Sequence, residues 1–343
     1  MIVPIIFFVI CLIGSFFTGL PFGFLLDEIV IRLSRNLLLV MSLILPVITG
    51  LGLNFAITLG AIAGQIALII ITNYTIGGFL GFILGILIST PFAILFGFMV
   101  GKILNKAKGK EMITSMVLGF FANGIYQLVF LLLAGTIIPI RNKDLLLTSG
   151  VGVKNTIDLS GIKYSFDYLI PLGKYPVTTL LVLMFMFLLL NHFLKTKLGQ
   201  DMRAVGQDME IARVSGINVE RTRIISVILS TLLAAWGQII FLQNIGTMQT
   251  YASHEQVGLF AVASLLVGGA TIDRASWKEA IIGTFLFHFL FLISPLAGQN
   301  LLGNAQIGEY FRAFVAYGVI GLALVLHAWE KDKSKKRLMD IYN

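Results

Sequence analysis

The sequence is nearly without cysteine and poor in charge. Cys11 is the single cysteine among 343 residues. That excludes a disulfide framework within the chain and any cysteine-based metal site. Only 12% of residues are Asp, Glu, Lys or Arg, against ~25% in an ordinary soluble domain. A large soluble helical protein is therefore a poor reading. No G-x-x-x-x-G-K-[ST] phosphate loop occurs, so the chain is not expected to hydrolyse ATP itself. H-E-x-x-H and G-x-S-x-G are also missing, and His192, His254, His288 and His327 are scattered. An intramembrane hydrolase is left without a catalytic constellation, and no residue suggests a metal or cofactor site.

What the chain has instead is long apolar runs. They cover roughly 2–26, 37–71, 77–100, 113–138, 176–194, 224–243, 257–270, 280–298 and 310–329. Most are near the ~20 residues a helix needs to cross the ~30 Å apolar core of a bilayer. The first run lacks a basic flank and exceeds a signal-peptide core, so it is expected to be a retained first span. The 37–71 run would be about 52 Å long as one helix, too long for one crossing. Gly50, Gly52 and Asn54 sit in its middle and offer a break. Ten spans result, the short 257–270 run being either a span or re-entrant.

The formal net charge is +8, but the positive residues fall between apolar runs, as topology signals do, rather than on a nucleic-acid-binding face. Lys102, Lys106, Lys108 and Lys110 mark one inside loop. Lys195, Lys197, Arg203, Arg213, Arg221 and Arg223 mark a second, Arg274 and Lys278 a third, and Lys331, Lys333, Lys335, Lys336 and Arg337 the tail. With both termini inside, ten spans place all four groups on one side. The expected fold is all-α: one polytopic helical bundle over 1–343, open to a division into two inverted five-helix halves. Phe55-Ala56 with Gly64 and Phe260-Ala261 with Gly269 form a faint echo of such halves. Gly60 with Gly64, Gly97 with Gly101, and Gly77, Gly81 and Gly85 repeat every four residues, giving flat faces for close helix packing.

The segment 195–223 is the longest polar stretch assigned to the inside. Gln207 to Val214 reads as a short helix, Gly216 as its left-handed cap, and Ile217 as the apolar residue after it. Asn218 can cap the next span, whose first turn carries Glu220. Val205, Met209 and Ala212 share one face and form a small apolar ridge. A short capped helix between two membrane spans can transmit a push from outside the bilayer.

The string Arg203-Ala204-Val205-Gly206, followed by Ala212-Arg213 and Ser215-Gly216-Ile217-Asn218-Val219, resembles the coupling-helix motif of ABC importer permeases. That family serves ribose-type sugars, branched-chain amino acids and nucleosides. Ser230 to Gly237 and Leu266-Val267-Gly268-Gly269-Ala270 are similar to further family elements. The resemblance implies a channel-forming subunit in a bacterial inner membrane, paired with a second permease as homo- or heterodimer. It implies an ATP-binding cassette partner and an extracytoplasmic solute-binding protein, with no cofactor on this chain. It also implies an ATPase-coupling role for Arg203, Gly206, Met209, Glu210, Ala212, Arg213, Gly216 and Ile217. The stretch Leu53 to Gly60 departs from both the sugar-type and nucleoside-type elements of the family, so the substrate stays open. Sugar-like or nucleoside-like cargo fits the motif best, with branched-chain amino acids as the alternative.

No charged side chain falls clearly within the predicted spans, which weighs against the rival reading, an ion-coupled secondary transporter. The neutral polar residues Asn54, Gln65, Asn123, Gln127, Gln238 and His288 are the pathway candidates. Asn123 and Gln127, four apart on one helix face, lead this set with Tyr126. The outer loop 139–175 is expected to meet the binding protein, with Gly150–Val153 and Asn155–Leu159 forming a hairpin. The basic tail 330–343 is expected inside.

Overall fold

The computed structural model describes residues 2–170 and 175–342. They are mostly helical, divided between two units: residues 30–261, and residues 1–29 with 262–343. Lys174 of the outer loop and Asn343 lie outside the described residues, as do the side chains of the basic tail.

The first apolar run is not one helix. Helix α1 (Ile2–Phe16) stops, and α2 (Phe22–Met41) starts after a turn. Gly19 takes φ 69° there, and Pro21 cannot donate a helical hydrogen bond. This corrects the 2–26 span. It also brings Asp27, Glu28, Arg32 and Arg35, which lie between the two apolar runs, into one continuous helix. Glu28, Arg32 and Arg35 lie at successive helical turns on one stripe. Arg35 donates to Asn244 Oδ1 (3.4 Å) and lies over the Phe241 ring.

The break in the 37–71 run falls where its glycines stand. After the short α3 (Ile44–Ile48), Gly50 (φ 73°) and Gly52 (φ 69°) turn the chain, and α4 (Ile57–Asn73) follows. Only glycine adopts this left-handed backbone without a Cβ penalty. Helices α5 (Gly78–Lys106), α6 (Glu111–Leu128, extended by one π turn to Leu133) and α10 (Val219–Ile245) then pack with α4. A Cβ on Gly64 would sit 2.7 Å from the Ala235 carbonyl, and one on Gly97 2.7 Å from Ile228 Cα. Gly60 and Gly101 meet α10 in the same way, so both glycine pairs serve close packing on that helix.

Helix α7 (Val177–Phe193) and α8 (Lys197–Gln207) meet at a 72° bend. A second short helix, α9 (Met209–Val214), leads into α10. After α10, strand β2 (Thr247–Gln249) pairs antiparallel with β1 (Thr156–Asp158). The expected 150–159 hairpin is thus replaced by a pairing with a segment some 90 residues away, and Val153 instead bridges to Leu146. Next to β1, the Ser160 backbone N–H and hydroxyl both donate to the Asp158 carboxylate at 2.8 Å. They hold its pKa below the usual carboxylate range.

Helix α11 (Glu255–Val267) has only 13 residues. The second unit holds α1, α12 (Trp277–Leu302), α13 (Ala305–Tyr342) and the end of α11. Gly268 and Gly283 let α11 and α12 cross in backbone contact, and Gly308 does the same for α13 on α12. The two glycines of the sequence echo are not equivalent: Gly64 lies inside α4, whereas Gly269 follows α11 with φ 95°.

By length and composition, five described helices can cross a membrane, or six if the α7–α8 pair is one bent span. Helices α1, α4 and α11 are apolar but shorter. Helix α10 gives the first unit its axis, about 40 Å for 27 residues. At its first turn, Glu220 receives Lys108 Nζ (3.4 Å), and its carbonyl receives Asn105 Nδ2 (2.8 Å). The 102–110 and 195–223 segments therefore share one end of the unit, while β1 lies at the other.

Candidate functional site

Two constructions stand out, both in the 30–261 unit. The first is the α8–α9 elbow. Asp208 ends α8 and caps α9, its carboxylate accepting the Glu210 and Ile211 backbone N–H groups at 2.8 and 2.9 Å. Gly216 (φ 83°) closes α9: Ile217 N–H bonds the Ala212 carbonyl and Gly216 N–H that of Arg213, both at 3.0 Å. This is the paired Schellman closure. Asn218 Oδ1 then accepts the Arg221 N–H (2.9 Å) and starts α10. The helix start lies at Met209 rather than Gln207, because Asp208 is extended (ψ 115°).

The apolar ridge does not point outward. Val205 and Ala212 are buried against Val219, with Met209 and Ile217 packed beside them. Turned away are Ile211 (66% exposed) and Val214 (90%), with Glu210 and Arg213, which pair at 3.0 Å. Arg213 also bridges to Glu220 at 2.8 Å. Arg203 is exposed near the end of α8. The amphipathic spacing identified an apolar face but could not say that the chain itself covers it.

Gly206 ties the elbow to the broken run. A Cβ there would collide with the Ile48 carbonyl oxygen and stand 3.1 Å from the Gly50 nitrogen. On the far side of the break, Ser115 Oγ of α6 accepts the Phe55 N–H (3.1 Å). Close by in sequence, Glu111 opens α6 and forms a buried ion pair with Arg223 Nη2. The charge at Arg223 was legible, but its burial (0% exposed) and its partner 112 residues away were not.

The second construction is a polar cluster with a buried centre, Gln65 and His254, and an exposed rim at Glu255. His254 Nδ1 lies 2.8 Å from Gln65 Oε1 and its Nε2 2.8 Å from Asn123 Oδ1. Asn123 Nδ2 donates to Glu255 (2.7 Å), as does Gln127 Nε2 (3.4 Å), which also reaches Asn123 Oδ1 (3.2 Å). The Tyr126 ring meets His254 edge-on at 4.8 Å. Gln238 Nε2 donates to the Ser253 carbonyl (3.1 Å). Gln65, Asn123, Tyr126 and Gln127 thus come together, with Gln238 beside them.

Asn54 and His288 do not join this cluster. Asn54 Oδ1 accepts the Ala56 N–H (3.1 Å) in the turn before α4, and His288 lies in the other unit against Phe287 and Phe291. His254 and Glu255 were missed as site residues. The available signal was Ser253-His254-Glu255-Gln256 directly before an apolar run too short to span. Among the described residues no group of three or more His, Cys, Asp or Glu could hold a metal ion.

Comparison with known proteins bears on what these constructions serve. The profile of the family described as branched-chain amino acid transport system / permease component matches residues 25–326. The fructose import permease protein FruG of Bifidobacterium longum is 26% identical over 274 residues, covering 78% of this chain and 74% of FruG. The xylose transport system permease protein XylH of Haemophilus influenzae is 28% identical over 164 residues, covering 48% of this chain and 40% of XylH. The ribose import permease protein RbsC of Escherichia coli is 34% identical over 138 residues, covering 40% of each chain. Against the latter two, the chain spans about two fifths of the relative's length. No solved structure matches.

Proposed function

Because the chain belongs to the family of transport-system permease components, we propose that it is the channel-forming subunit of an ATP-binding-cassette importer for a small sugar. The observation that carries the mechanism is the α8–α9 elbow. It is capped at both ends, braced from within by Val205, Ala212 and Val219, and presents Ile211 and Val214 outward between two membrane helices. Exposed apolar side chains ringed by Glu210 and Arg213 suit insertion into a groove of a partner subunit.

A push on α9 reaches the broken run where Gly206 lies on Ile48 and Gly50. It also reaches the α5–α6 end through Arg213, Glu220 and Lys108. The mechanism is therefore mechanical: ATP binding and hydrolysis occur on a separate subunit, and this chain converts the resulting movement into access to its passage. The coupling set is Arg203, Gly206, Met209, Glu210, Ala212, Arg213, Gly216 and Ile217, to which the exposed Ile211 and Val214 are added. The passage is proposed to run past Gln65, Asn123, Tyr126, Gln127 and Gln238. Asn54 belongs to the mechanism as the hinge of the break, and His288 is not part of this passage set.

The working assembly is two permeases, an ATP-binding cassette subunit and an extracytoplasmic solute-binding protein, in a bacterial inner membrane. Both termini and the 195–223 segment face the cytoplasm, with ten spans. The shared end of the 102–110 and 195–223 segments, opposite β1, supports that orientation. The sugars named for the similar permeases favour a pentose or hexose over a branched-chain amino acid. Proteoliposomes holding the chain, its ATP-binding partner and its binding protein test the reading. ATP-dependent uptake of labelled ribose, xylose or fructose is expected, and uptake of leucine alone would reverse the substrate assignment.

A further inference from the structure

We infer that the cluster at the start of α11 is a binding station, within the membrane, for the hydroxyl groups of a neutral polyhydroxylated solute. The inference rests on the importer reading above and concerns the same passage. Helix α11, at 13 residues, is about 20 Å long, too short for a ~30 Å apolar core. Its beginning is fixed by the Gln238–Ser253 bond. Gln238 stands seven residues before the end of α10, so α11 begins about 10 Å below that end. A half-helix starting at this depth, on irregular backbone, is an arrangement transporters use beside a solute path.

The second observation is independent of that geometry. Gln65 Nε2, Gln238 Oε1 and Tyr126 Oη are buried polar atoms without a hydrogen-bond partner. Their side chains belong to residues that are 0%, 0% and 4% exposed. An unpaired buried polar atom is costly, and such atoms in native folds call for an explanation. Two amide groups and a hydroxyl are thus left incompletely paired: Gln65 and Tyr126 meet the His254 ring, and Gln238 is bonded to the neighbouring Ser253. His254 also faces two acceptor oxygens, although a neutral imidazole has a single N–H. Asn123 is held in orientation by Glu255, so Nε2 is the donor. The Gln65 amide then turns its Nε2 toward Nδ1, which leaves its Oε1 as the acceptor free for a solute hydroxyl.

The chemistry selects the solute. Every hydrogen-bonding group described in the cluster is an amide, imidazole, phenol, carboxylate or backbone carbonyl. Adjacent sugar hydroxyls, each donor and acceptor at once, match interleaved groups of this kind. A phosphate would meet Glu255 as a like charge. An amino-acid carboxylate would meet the same charge and no cationic partner among these groups.

The test uses the full chain in lipid nanodiscs and saturation-transfer NMR with ribose, xylose, fructose and leucine as probes. At least one sugar should give a signal and leucine none. Gln65→Leu should reduce the sugar signal at least fivefold. Tyr126→Phe, which removes only a hydroxyl and keeps the ring packing, should reduce it two- to fivefold. No sugar signal from the wild-type chain, equal binding of leucine, or an unchanged signal in both variants overturns the station. ATP-driven uptake measured in parallel separates the two readings. Uptake without a binding signal removes the station and keeps the importer, while a variant-sensitive signal without uptake keeps the station and removes the importer.

Discussion

Replacing Gly206 by alanine puts a methyl group on the Ile48 carbonyl oxygen and near the Gly50 nitrogen. Both are backbone atoms, so no side chain can swing aside. On an isolated helix the change would help by about 1 kcal/mol, because alanine is the better helix former. Overpacking a tight contact costs roughly 1–3 kcal/mol, and rigid backbone puts this case at the upper end. The difference, about 1–2 kcal/mol, opposes docking of the elbow on the break, a factor of roughly 5–30 in that equilibrium. Gly216 is the internal control. A Cβ there meets nothing within 4 Å, and only its φ of 83° disfavours a side chain. Asparagine tolerates that conformation, so Gly216→Asn should stay near wild type while Gly206→Asn fails. Amide hydrogen exchange across 199–216 reads the docking directly, and substrate-stimulated ATP hydrolysis reads its consequence. A Gly206→Ala chain that exchanges no faster than wild type and keeps full stimulation would show that helix propensity wins, and that the elbow does not bear on the break.

Replacing Asn123 and Gln127 together by leucine removes the two amides that hold Glu255; uptake should fall about tenfold with assembly and ATP binding intact, and full uptake would mean that they only pack helices. Arg223 is buried and paired with Glu111, so Arg223→Met alone should cost about 3–5 kcal/mol, whereas Arg223→Met with Glu111→Leu should recover most of it. Additive losses in thermal unfolding would contradict that pairing. Reporter fusions at Asn343 and within residues 150–165 should report opposite sides of the membrane, and same-side signals would overturn the orientation.

The parts of this architecture that are local in sequence were legible in it. Gly50 and Gly52 announce the break because their left-handed backbone excludes most other residues. Gly216 and Asn218 announce the elbow's exit because each satisfies backbone groups within a few residues. Illegible were the parts decided by distant partners. Asp27 to Arg35 stand between two apolar runs in the sequence, yet α2 runs through them unbroken. β1 finds its strand partner across some 90 residues, and no local pattern encodes that choice. The Val205–Ala212 face was visible as apolar, but Val219 claims it, which leaves Ile211 and Val214 outside. His254 lacked any motif and gained meaning only when folding placed Gln65 and Asn123 on its two nitrogens.

The central claim is that a partner's ATP cycle reaches this chain through the outer face of α9. Its direct test is substrate-stimulated ATP hydrolysis in reconstituted complexes carrying Ile211→Glu or Val214→Glu. These side chains are 66% and 90% exposed, so the substitutions leave the fold's interior untouched. A charge at the centre of a desolvated groove opposes binding. The account predicts that both variants insert and unfold as wild type does and lose stimulation at least tenfold; wild-type stimulation and uptake in both would contradict it.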